Sequence, residues 1–176
     1  MIILITGGSG SGKSSYAEEE FSKLQNKGKK YYLATMKVYD EEGEKRVERH
    51  RKMRCNRGFY TIEQPQNIEE AVGKMVKEEN AALLECMSNL VANEMYQEKF
   101  HSAKEVTDKV LRGIEILDEK LSYLMIVTNN VFEDGIVYDE MTSEYLRALD
   151  EINIQLARKA EKVVEVVVGI PVFCKK

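Results

Sequence analysis

Met1-Ile2-Ile3-Leu4-Ile5-Thr6-Gly7-Gly8-Ser9-Gly10-Ser11-Gly12-Lys13-Ser14 is the stretch whose reading decides the fold. A short, continuously apolar run stops at Thr6-Gly7, and a helical pattern opens at Lys13 and reaches about Gln25. Strand, glycine loop and helix in that order are what a phosphate-binding loop requires. Glycines let backbone N–H groups close round phosphate oxygens where a Cβ would obstruct them. The helix start adds its dipole and unpaired donors. The cradle is then Gly7, Gly8, Ser9, Gly10, Ser11 and Gly12. Lys13 supplies a point charge to the β and γ phosphates, and the Ser14 hydroxyl is the expected Mg²⁺ ligand. A flexible glycine-serine linker would lack the flanking strand and helix.

Outward from the loop, strand and helix patterns alternate. Lys30–Ala34 reads as a second strand, Asp40–Arg54 as a polar helix, and Phe59–Ile62 as a short strand. Asn67 is placed to cap a helix to about Glu79. Ala81–Glu85 is a third strong strand and Ser88–Gln97 a helix. In Ala103–Lys120, Val106, Val110, Ile114 and Leu117 share one helical face. Leu121–Val127 is a strand, followed by a loop over Val131–Tyr138. Asp139–Ala160 is a long helix with Tyr145, Leu149, Ile152 and Leu156 as core. Val163–Val168 is a buried strand, and Val172–Cys174 a terminal edge strand after Pro171. Asn26-Lys27-Gly28 is expected to end the first helix in a left-handed turn. The sum is an α/β phosphate-loop nucleotide-binding fold, a mostly parallel sheet with helices on both faces. Ligands then belong at the carboxyl ends of the strands.

Composition narrows the field further. A chain of 176 residues with 43% apolar and 32% charged residues suits one soluble domain, residues 1–176. A net charge of −4 argues against nucleic acid or an anionic membrane as a bulk partner. No apolar run approaches the roughly 18 residues of a membrane span, and no signal peptide precedes the first strand. Three cysteines without a Cys-x-x-Cys pair fit a reducing cytoplasm and argue against structural zinc. They read as filler, Cys55 alone having a cationic neighbour in sequence, and His101 reads as surface.

Two further positions carry chemistry. Glu85 closes a hydrophobic strand, where phosphate-loop proteins hold an acid that organises Mg²⁺ directly or through water. His50 lies in Lys45-Arg46-Val47-Glu48-Arg49-His50-Arg51-Lys52-Met53-Arg54. By composition this is a solvated basic face. The functional alternative is a nucleophilic imidazole among cations, which favour its neutral form and draw in an anion. From the residues alone, the loop serves three readings. It suits an enzyme using both Lys13 and His50, a small-molecule kinase with another acceptor, or a nucleotide-binding regulator without turnover.

In these segments the chain resembles the bifunctional adenosylcobinamide kinase / adenosylcobinamide-phosphate guanylyltransferase family of cobalamin biosynthesis. The segments are Ile5–Ser14, Tyr32–Thr35, Arg46–Arg51 with Arg54, Thr61–Pro65, Leu83–Cys86 with Asn93, and Val127–Asn129. Gly135–Val137, Asn153 with Leu156-Ala157, and Val168–Pro171 complete the set in the family's order. The resemblance implies two reactions: transfer of the γ-phosphoryl of ATP or GTP to the aminopropanol hydroxyl of adenosylcobinamide, then transfer of GMP from GTP through a GMP–histidine at His50. It also implies nucleotide contacts at Ala34, Thr35, Met36, Arg51, Lys52, Met53, Arg54, Glu63 and Glu85, and a homotrimer. Departures concentrate in two places. Gly10 stands where the family has arginine. In the 130–138 loop, Asn130 replaces an acid and Tyr138 a proline, which bears on the corrinoid acceptor more than on the nucleotide.

Overall fold

A computed structural model describes residues 1–37, 58–76, 78–130 and 138–176. These form a seven-stranded sheet: β1 (Ile2–Thr6), β2 (Lys30–Ala34), β3 (Tyr60–Glu63), β4 (Ala81–Leu84), β5 (Tyr123–Val127), β6 (Lys162–Val167) and β7 (Ile170–Lys175). The order across the sheet is β3-β2-β4-β5-β1-β6-β7. Every pairing is parallel except β6 with β7. The helices are α1 (Lys13–Lys23), α2 (Met87–Met95), α3 (Ala103–Lys120) and α4 (Glu140–Lys159), with a 3₁₀ segment at Ile68–Lys74.

Strand alternation divides the apolar residues between two cores. Ile2, Leu4, Leu33, Ala82, Leu84, Leu124 and Ile126 face one side, covered by α2, α3, α4 and the 3₁₀ segment. Ile3, Ile5, Tyr32, Leu83, Met125 and Val127 face the other, where Ala17 and Phe21 of α1 pack. Burial on both faces is why these strands read as unbroken apolar runs. The Val106, Val110, Ile114 and Leu117 stripe of α3 and Leu149, Ile152 and Leu156 of α4 are all buried. Each such side chain contributes about 1.5–3 kcal/mol. Ser102 and Glu105 close a capping box on α3, and the Asp139 carboxylate accepts from the Thr142 N–H at the start of α4. No helix among the described residues is long and apolar enough to cross a membrane.

Several boundaries differ from the sequence reading. α1 ends at Lys23, and Leu24 is already extended. Gly28 does not turn left-handed; glycine is required there because two backbones meet. A Cβ would lie 2.4 Å from the Glu79 carbonyl oxygen, which accepts the Gly28 N–H at 3.0 Å. The expected helix from Asn67 to Glu79 is a 3₁₀ segment that stops at Lys74, with Asn67 itself left-handed and no side-chain cap. Val72 and Gly73 are poor helix-interior residues, and Met75 is extended so that the chain can return to β4. β6 ends one residue early, with Val168 in a turn, and β7 is longer than Val172–Cys174. The polar helix over 40–54 and almost all of the 131–138 loop lie outside the described residues.

Gly28→Ala is expected to lower stability by about 1–3 kcal/mol, because the neighbour it strikes is backbone. A fall in the urea midpoint at unchanged m-value measures this.

Candidate functional site: the phosphate loop and the strand ends around it

The chain leaves β1 at Thr6 and turns at once. A Cβ on Gly7 would lie 2.5 Å from the Val166 carbonyl oxygen, so only glycine lets the loop start against β6. Gly12, with φ of 89°, closes the loop in the left-handed region just before α1. Both flanks tether it: the Asn130 N–H donates to the Gly7 carbonyl at 3.1 Å, and the Gly169 N–H to the Ser11 carbonyl at 2.8 Å. The Ser11 hydroxyl oxygen is buried with no hydrogen-bond partner among the described residues. An orphaned hydroxyl inside a cradle of this shape suits a phosphate oxygen as its missing acceptor.

Lys13 folds over the loop, its Nζ donating to the Gly8 carbonyl at 3.0 Å. Burial lowers its pKa, a shift that the nearby Cys86 opposes. Cys86, read from sequence as filler, has Lys13 near it, brought from 73 positions away by the fold.

The ends of β4 and β5 are joined by a polar chain. The Cys86 Sγ and Ser88 Oγ lie 3.0 Å apart, and Asn129 Nδ2 donates to Ser88 Oγ at 2.7 Å. Asn153 Nδ2 donates to the Asn129 carbonyl at 3.1 Å, and Thr128 Oγ1 to Asn153 Oδ1 at 2.7 Å. Tyr145 donates its hydroxyl to the Ser88 carbonyl at 3.3 Å, and burial pushes its pKa up to about 12. It stays a neutral packing and bonding group at any working pH. Ser88, the hub of this chain, carries no sequence signal of its own.

Register aligns the remaining candidates. Ala34 pairs with Glu63, and Leu33 with Leu84, so Glu63, Ala34 and Glu85 end three neighbouring strands at one level. The Glu85 N–H donates to the Leu33 carbonyl at 3.1 Å, and its side chain is half-buried. Glu63 is exposed and Met36 half-buried. Thr35 is fully buried, its hydroxyl donating to the Cys86 carbonyl at 2.9 Å. Asn93, 8% exposed, donates from one amide to the Thr35 carbonyl at 2.7 Å and the Pro65 carbonyl at 3.0 Å. One side chain thus clamps the turns after β2 and β3. Beyond them, Lys37, Gln66, Tyr96 and His101 line a hollow of about 540 Å³. His101, read from sequence as plain surface, is half-buried there.

Two strand spacings of about 4.8 Å each put the β4 end roughly 10 Å from β1. No cluster of three His, Cys, Asp or Glu exists among the described residues. Mg²⁺ needs none, since it is held by one or two protein oxygens together with phosphates and waters. Ser14 is exposed at the loop's end, and Glu85 is half-buried just past β4. His50, Arg51, Lys52, Met53 and Arg54 lie outside the described residues.

Residues 3–174 match the family described as cobinamide kinase / cobinamide phosphate guanyltransferase. The chain belongs to that family. Two relatives span its whole length, each named bifunctional adenosylcobalamin biosynthesis protein CobU. That from Escherichia coli K12 is 26% identical over 99% of this chain and 100% of its own. That from Salmonella typhimurium LT2 is 28% identical with the same coverage. Membership places the chain among kinase and guanylyltransferase enzymes of cobalamin biosynthesis. Solved structures similar in fold alone include flagellar accessory protein FlaH from Methanocaldococcus jannaschii (TM-score 0.52, 13% identity, 99% of this chain and 77% of that one). A KaiC-like protein from Pyrococcus horikoshii OT3 also matches (TM-score 0.52, 11% identity, 93% and 71%). The fold class expected for a phosphate-loop nucleotide-binding protein is the one found.

Asn93→Ala removes the clamp between the two turns and leaves two carbonyls without their donor. A loss of about 1–3 kcal/mol is expected in chemical denaturation. Because Ala34 and Met36 lose their common anchor, weaker GTP binding in titration calorimetry should accompany it.

Proposed function

We propose that the chain phosphorylates the aminopropanol hydroxyl of adenosylcobinamide and then converts the product to adenosylcobinamide-GDP through a GMP–histidine at His50. The observation that carries the first half is the phosphate loop with Lys13 half-buried over it, its ammonium on the Gly8 carbonyl. In this reading Gly7 to Gly12 wrap the triphosphate with backbone N–H groups, and Lys13 neutralises charge gathering on the γ-phosphoryl as it leaves the β-phosphate. Mg²⁺, held by Ser14 and Glu85, supplies further charge neutralisation when bound.

The second half uses the other chemistry-bearing segment. The His50 imidazole nitrogen attacks the α-phosphorus of GTP, a P–N bond forms, and the bond to the bridging oxygen breaks to release pyrophosphate. The phosphate of adenosylcobinamide phosphate then attacks the same phosphorus, the P–N bond breaks, and a pyrophosphate linkage to GMP results. Splitting the exchange at histidine makes each displacement an attack by a competent nucleophile on a good leaving group. Arg51, Lys52, Met53 and Arg54 are the proposed contacts on the histidine segment, and Ala34, Thr35, Met36 and Glu63 those on the β2 and β3 ends. Thr35 acts there by fixing its strand end, since its side chain is buried on Cys86. The assembly is proposed to be a cytoplasmic homotrimer, which analytical ultracentrifugation checks directly.

Incubation with α-labelled GTP and Mg²⁺ should leave acid-labile, base-stable label on the protein, absent from His50→Ala. Lys13→Ala should lose about 10²–10³-fold in phosphorylation of adenosylcobinamide and weaken labelling as well. His50→Ala should keep the kinase step. Equal kinase loss in both variants would refute this division of labour, and turnover of another alcohol without label would favour a plain small-molecule kinase.

A further inference from the structure

The β6–β7 hairpin touches the phosphate loop directly, and nothing in the reading above uses it. Val167 pairs with Ile170, so Val168 and Gly169 are a two-residue turn, with φ of 51° and 81°. Turns with both central residues left-handed favour Asn-Gly or Gly-Gly, because a β-branched residue is strained there. Val168 is nevertheless valine, and it is 87% exposed. Neither turn geometry nor core packing accounts for it. Its neighbours Val167 and Ile170 are 48% and 66% exposed. Further along β7, the Lys162 ammonium lies 4.8 Å from the ring centre of Phe173, which is 45% exposed.

The tip is also fixed relative to the phosphates. Gly169 donates its N–H to the Ser11 carbonyl, and a Cβ on Gly12 would sit 3.4 Å from the Gly169 Cα. The two flanks of the loop differ in character. On the β5 side lie the hydrogen-bonded Cys86, Ser88 and Asn129; on the β6 side lies exposed aliphatic surface. A triphosphate lying across the loop with its γ-phosphate toward the polar strand ends leads its nucleoside the other way.

We propose that the Val168–Gly169–Ile170 turn is the seat of the nucleoside of the phosphoryl donor, with Val168 and Ile170 as an apolar shelf under the base. This rests on the phosphate-loop reading. It places the donor's nucleoside on the side opposite to the β2 end, where the guanosine of the GMP-transfer step is assigned. The turn is therefore a specificity element of the kinase step alone.

Val168→Asn tests it cleanly, since asparagine suits the left-handed turn and removes only the apolar surface. Ile170→Thr is the second variant and keeps a β-branched strand residue. With ATP as donor and adenosylcobinamide as acceptor, both should raise the KM for ATP about tenfold, the scale of a lost apolar contact in a binding pocket, with kcat little changed. Inhibition by inorganic tripolyphosphate, which has no nucleoside, should be unaltered, and labelling by α-labelled GTP should persist. An unchanged KM for ATP in both variants would overturn the seat. So would a parallel weakening of tripolyphosphate inhibition, which would make the turn a mere prop for the loop. Lys13→Ala separates the two levels: if it leaves tripolyphosphate inhibition intact, the phosphate-loop reading falls and the seat with it. If it abolishes inhibition while Val168→Asn leaves the KM for ATP unchanged, the seat alone falls.

Discussion

The constraint on which the structure depends is the sharp exit of the chain from β1. Gly7 comes so close to the β6 backbone that no side chain fits, and the loop it begins is held by one hydrogen bond from each neighbouring strand end. Those tethers, from Asn130 on one side and Gly169 on the other, fix the loop backbone between β5 and β6. A loop without them would relax onto itself. Here the Lys13 ammonium closes on it, through the Gly8 carbonyl. That contact is one a bound anion can displace, because the lysine exchanges a carbonyl dipole for a full negative charge.

Around that exit the sheet acts as a ruler. β1 is flanked by β5 and β6, with β4 and β2 beyond β5, so distance from the loop rises in steps of one strand spacing. Two apolar faces, each covered by helix, keep the ruler rigid, because neither can be exposed without losing its burial. The 3₁₀ segment and α3 meet closely at Gly113, whose missing Cβ would lie 2.7 Å from Ile68. Packing at that density transmits position from the hydrophobic layer to the strand ends.

At the strand ends, polar side chains do the joining. Asn93 binds the turns after β2 and β3, while Ser88, Asn129 and Asn153 bind the ends of β4 and β5 to α4. Buried amides are held by their hydrogen bonds rather than by shape, so each has a narrow range of allowed geometry. The half-buried Lys13 belongs to the same edge, and its desolvation makes its charge count for more when a phosphate arrives.

How much of this was legible in the sequence follows from the range of each interaction. The phosphate loop, the α3 stripe and the strand at Lys30–Ala34 were readable because glycine freedom, helical period and unbroken apolar runs are local properties. Family membership was readable too, since it rests on ordered motifs rather than on contacts. The short 3₁₀ segment and the role of Gly28 were not, because each depends on a backbone that returns from elsewhere in the chain. Nor was the polar chain at the strand ends: Cys86, Ser88 and Asn129 have no common spacing, and only the parallel stacking of β4 and β5 brings them together. By itself the sequence determined where the strand, glycine loop and helix of a phosphate-loop fold lie. The tertiary structure decided what stands on each side of them, because strand order is set by long-range packing that local pattern does not record.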